Sequence, residues 1–73
     1  MKIYSASVYI GNYEIQALGE SPQKCISVLV SAYRKNFGTF SENGFKNKAD
    51  WLEYHGISES SLDEFELNSA IIK

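Results

Sequence analysis

With 73 residues, one cysteine and one histidine, this chain can close no disulfide within itself and has too few soft ligands for a zinc site. Its length bounds it to one domain, residues 1–73, with a thin core, because a domain of this size buries only about 60% of its unfolded surface. The net charge of −2 is split as +2 over residues 1–38 and −4 over residues 39–73, which argues against a general nucleic-acid binder with a basic stripe and allows a partner with a basic surface.

No apolar leader follows Met1-Lys2-Ile3, and the longest apolar runs fall far short of a membrane span. The lone Cys25 fits a reducing compartment. These features predict a cytoplasmic protein without membrane association.

The first element is a β-hairpin over Tyr4–Gly19. Gly11-Asn12 sits between two alternating runs and fits a two-residue type II′ turn. The loop sets the register: Ile10 faces Tyr13, Val8 faces Ile15, Ala6 faces Ala17, and Tyr4 faces Gly19. These pairs form one nearly apolar face. Tyr9 opposite Glu14 and Ser7 opposite Gln16 belong to the other. A slip of one residue would exchange the faces, so the pattern pins its own pairing.

A helix follows, with Ser21 as N-cap, Pro22 at its first position, Phe37 near its end and Gly38 beyond. Cys25, Ile26, Leu29, Ala32, Tyr33 and Phe37 recur at helical spacing and form its buried stripe, widened by Val28 and Val30. Arg34 and Lys35 favour the negative end of its dipole. Thr39–Lys46 is a loop flanked by Phe40 and Phe45. A shorter helix then starts from Asn47, with Asp50 three residues on, and runs through Trp51, Leu52 and Tyr54-His55 to Gly56. Ser58–Glu64 is read as either one further helical turn or a polar loop. Phe65–Lys73 alternates and predicts a last strand.

The order β-β-α-α-β predicts a small α+β fold: a three-stranded, mainly antiparallel sheet with two helices packed on one face. The first strand is expected in the middle, since an isolated hairpin is marginal in water.

The residues offer little chemistry. His55 could pair with Cys25, or with Asp50 or Glu53, as the core of a small enzyme. But Cys25 falls on the apolar stripe, and His55 is well explained as a residue at a helix C-terminus. Glu59, Asp63, Glu64 and Glu66 crowd the C-terminal part. They lack the spacing of a calcium loop, so the sequence implies neither metal nor cofactor. They form either an ordinary solvated face or an acidic patch for a basic partner. Tyr9, with Ile3 and Leu18, lies on the sheet face away from the helices, where a partner or second copy could sit. Phe40 and Phe45 are a candidate loop-borne binding pair.

The segment Tyr13–Tyr33, with Gly19-Glu20-Ser21-Pro22 leading from strand to helix, resembles the strand-to-helix junction of double-stranded-RNA-binding domains. It also resembles the N-terminal domain of HicB-type antitoxins. The first likeness would imply RNA binding, but Lys24 stands alone where that family has a basic cluster, so direct nucleic-acid binding is not expected. No functional residue follows from either likeness.

The expectation is therefore a non-enzymatic, small acidic binding protein. Its candidate contacts are Glu59, Asp63, Glu64, Glu66, Phe40, Phe45 and Tyr9. Its style is that of phage- or mobile-element-encoded inhibitors, anti-CRISPR proteins among them, which occupy a host defence or nucleic-acid-handling protein. The rival readings are an oligomeric protein that sequesters a ligand between subunits, a nucleic-acid-binding regulator using Lys24, Arg34 and Lys35, and the small enzyme using Cys25 or His55.

Overall fold

A computed structural model describes residues 2–66 of the chain. Strand β1 (Lys2–Ile10) turns at Gly11, whose φ of +60° only glycine adopts freely, into β2 (Tyr13–Gly19). The pairing is the one the alternation dictates, from Ile10 with Tyr13 to Tyr4 with Gly19. Helix α1 (Pro22–Phe37) follows at once. The Ser21 side chain accepts the Lys24 N–H, and the Gly38 N–H closes the far end on the Arg34 carbonyl.

The loop after α1 contains a short 3₁₀ turn, Ser41–Asn43. The Asn43 amide donates to the Phe37 and Thr39 carbonyls, at 3.0 and 2.8 Å, and so ties the loop to the helix end. Helix α2 (Lys48–Tyr54) is bounded at both ends by side-chain and backbone caps. Asn47 accepts the Asp50 N–H at 2.9 Å while the Asp50 carboxylate accepts the Lys46 N–H at 3.0 Å. At the other end the Ile57 N–H reaches the Leu52 carbonyl and the Gly56 N–H reaches that of Glu53, a Schellman motif that folds Ile57 back toward Leu52.

Of the two readings of Ser58–Glu64, the polar loop is the correct one for its first part. Ser58 and Ser61 bond to each other rather than starting a helix. The last strand, β3 (Asp63–Glu66), begins earlier than its alternation suggests, because pairing with β1 draws Asp63 and Glu64 into it. The expected continuation over Leu67–Lys73 lies outside the described residues.

The sheet order is β2-β1-β3 and both pairings are antiparallel, so the first strand is central. Even-numbered residues of β1 and odd-numbered residues of β2 share the face that α1 covers. Ala6, Val8 and Ala17 are buried there against Cys25, Leu29, Val30 and Tyr33. Helix α2 adds the fully buried Trp51 to the same core. Tyr33 is the hub between the helices, with ring centroids 4.6 Å from Trp51, 5.6 Å from Phe37 and 5.7 Å from Phe40. Aromatic area thus replaces much of the aliphatic core that so short a chain lacks.

One position makes the junction between β2 and α1 unusually strict. A Cβ on Gly19 would lie 2.5 Å from the backbone nitrogen of Cys25. Only a residue without a side chain lets the first turn of α1 come this close to the strand.

Candidate protein interface

Cys25 and His55, the candidates for a catalytic pair, are each engaged in different packing contacts. Cys25 is fully buried in the first turn of α1, where its thiol donates to the Ala17 carbonyl at 3.5 Å. Burial raises its pKa, which keeps it a thiol and chemically quiet. His55 caps α2 and packs edge-on against Trp51, with ring centroids 4.9 Å apart. Loss of hydration lowers its pKa, favouring the neutral ring. Among the described residues, no three of His, Cys, Asp and Glu converge as a metal site would require.

The loop phenylalanines close the loop and sit on the edge of the core. The Phe45 N–H donates to the Phe40 carbonyl at 2.9 Å. Phe40 lies against Tyr33 and Trp51, and Phe45 against Tyr54 and His55. Both are half-buried, so each offers a partner only part of its ring.

The acidic residues are spread over two faces and a loop. Glu59 is exposed in the loop before β3. Asp63 pairs with Ser5 and lies on the open face of the sheet, whereas Glu64 pairs with Tyr4 and lies on the other. Glu64 is bound to the Lys2 ammonium at 2.9 Å, and that contact, by hydrogen bonding and then by charge, raises the Lys2 pKa. Glu66 is exposed and shares the face of Glu64. The four therefore do not form one continuous patch.

The open face has a more definite character. The registers place Ile3, Ser5, Ser7 and Tyr9 of β1 on it, with Glu14, Gln16 and Leu18 of β2 and Asp63 and Phe65 of β3. Tyr9 is 71% exposed and Leu18 54%. Ile3 and Phe65, directly opposite one another, are half-buried. The Gln16 amide donates to the Ser5 hydroxyl at 3.3 Å and helps cover it. Beside Tyr9, the Glu14 carboxylate raises the phenol's pKa, by hydrogen bonding first and then by its charge. Every charged side chain that the registers place on this face is acidic.

The basic residues do not assemble into a counterpart. Lys24, at the start of α1, is 3.7 Å from Glu20, and Arg34 and Lys35 are in the last turn of this helix, about 15 Å away along its axis. No helix among the described residues is long and apolar enough to cross a membrane. The chain matches no protein-family model, no curated protein and no solved structure.

The hairpin register alone places Tyr9, Ile3, Leu18 and Glu14 on this face, as the sequence reading had them, although only Tyr9 was singled out as a contact. Asp63, read as part of an acidic cluster, and Phe65 join them only through the pairing of β3 with β1, which no local pattern specifies.

Proposed function

We infer that this protein is a non-enzymatic binding module that acts by occupying the surface of another protein, and that this surface is basic. The observation that carries the reading is the open face of the sheet, where Ile3, Tyr9, Leu18 and Phe65 are interleaved with Glu14 and Asp63 and with no basic residue. Solvated faces of antiparallel sheets are ordinarily polar at alternate positions. Aromatic and aliphatic side chains supply contact energy there, and the carboxylates select a partner of opposite charge and speed encounter. Glu59, Glu64 and Glu66 extend the negative field around β3.

The finer proposal is a phage- or mobile-element-encoded inhibitor, acting in the cytoplasm, that blocks a host defence or nucleic-acid-handling protein. What supports it is chemical economy. A basic groove built for phosphate can be closed by an acidic, apolar surface without any catalysis by the blocker.

The test is capture of a partner from host lysate, followed by titration of that purified partner. The Glu14→Lys, Asp63→Lys double variant is expected to lose most of the affinity, and the wild-type complex to weaken steeply with salt. Unchanged affinity in the double variant would remove the open face from the reading.

A further inference from the structure

Strand β2 forms one edge of the sheet. Among the described residues no strand pairs with its outer side, since the sheet order ends there. In the hairpin, Tyr13, Ile15, Ala17 and Gly19 form the doubly bonded pairs with β1 that a two-residue loop imposes. The N–H and C=O groups of Glu14, Gln16 and Leu18 consequently point outward. The strand Tyr13–Gly19 carries no Lys, Pro or bulge, the usual guards of a free edge.

A groove runs beside this edge. It measures about 620 Å³ and lies between Tyr13–Gln16 of β2 and Ala32, Asn36 and Phe37 of α1. Val28, one helical turn before Ala32, is 48% exposed on the same flank. Tyr13, 67% exposed, adds further apolar surface on the helix side of the strand.

The geometry points to strand addition: the free edge of β2 takes up an extended segment of a partner protein as a fourth strand, with a Lys or Arg opposite Glu14 and an apolar side chain opposite Ile15. The basic residue would share the open face with Glu14, where an opposite charge is favoured. Its neighbour would point to the helix side and enter the groove against Ile15, Ala32 and Phe37. The three outward residues supply the main-chain bonds, and the groove supplies the side-chain choice. A second copy of this chain is a poorer occupant. Paired strands stand about 4.8 Å apart, whereas packed helices need about 8–10 Å. Helix α1 packs more on β2 than on β1, so the α1 helices of two copies would contest the same space.

This inference rests on the reading of the chain as a protein-binding module, and its test separates the two. The probe is a fluorescein-labelled eight-residue peptide of alternating lysine and valine, followed by fluorescence anisotropy and by amide exchange in the full chain. Saturating peptide is expected to slow exchange at Glu14, Gln16 and Leu18, with Ile15 and Ala17 already slow without it. Gln16→Pro removes one outward donor and spares the ladder to β1, and should weaken the peptide roughly tenfold, the value of one such bond. Ala32→Arg, which fills the groove from the helix and leaves the strand alone, should weaken it as well. Thermal melting checks that both variants fold. Peptide binding that survives both variants, absence of binding, or binding without the alternating protection would overturn strand addition. If Glu14→Lys, Asp63→Lys still abolishes partner capture in those cases, the open-face reading stands without it. Concentration-dependent protection of the same amides without peptide would also overturn it, by making a second copy the occupant.

Discussion

On its helix-covered face the sheet carries Ala6, Val8 and Ala17, each under a tenth exposed, whereas Tyr9 and Leu18 on the open face stand more than half in solvent. Both faces come from the same alternation in the same two strands. What differs is the cover: α1 and α2 bring Leu29, Tyr33 and Trp51 down on one side, and no described element crosses the other. In a chain of this length one face must hold the fold, and only the other is left to meet a partner. A substitution should therefore affect stability or binding according to its side.

The largest loss is expected from Trp51→Ala. The side chain is fully buried and touches Tyr33, Phe40 and His55, and removing a core tryptophan costs about 4 kcal/mol. A chain of this length is stable by only about 4–11 kcal/mol in total, so urea titration followed by circular dichroism should find the variant near the edge of unfolding. Gly19→Ala comes next, at about 2–3 kcal/mol, because the added methyl meets the backbone of Cys25 rather than a side chain that could move aside. Alkylation of Cys25, shielded in the native fold, should speed up in this variant. A normal urea midpoint with a protected thiol would show that the strand–helix junction has room the geometry denies it.

The covered face was largely legible from residue order. Gly11-Asn12 set the hairpin register, Ser21-Pro22 and Gly38 set the ends of α1, and Asn47 with Asp50 set the start of α2. These signals are local, each acting within a few residues, and local physics suffices for them. The strand β3 was misread at its start because Asp63 and Glu64 are poor strand formers, and pairing with β1 outweighs their preference. The reading of the acidic residues as one patch, an alternative to a plain solvated face, treated them as near neighbours, but a strand sends neighbours to opposite faces, which separates Asp63 from Glu64. The groove beside β2 had no sequence signal at all. It lies between Tyr13–Gln16 of β2 and the last two turns of α1, residues that only the packing of helix on strand brings together.

A smaller effect belongs to His55. Its ring is half-buried against Trp51, Tyr54 and Phe45, and loss of hydration holds its pKa below the ordinary 6.5. The unfolded chain therefore binds the proton more readily than the folded one. The stability that the neutral ring contributes is complete above pH 6.5 and is lost as pH falls below it. His55→Phe should flatten this part of the pH–stability profile relative to wild type, measured by urea midpoints. Identical slopes in the two proteins would place the titrating group elsewhere.

The smallest effect on stability is expected on the open face. Tyr9→Ser and Leu18→Ser remove side chains that are already mostly solvated, and each should move the urea midpoint by less than about 0.5 kcal/mol. The Leu18 variant is the sharper of the two. Its side chain lies on the open face while its backbone faces the free edge of β2, so Leu18→Ser preserves the outward N–H and C=O and removes only the apolar contact. If partners meet the face, this variant keeps its fold and loses affinity. If they meet only the edge, it keeps both. Unfolding of either variant would mean that the open face is already covered within the chain and that the contrast between the two sides does not hold.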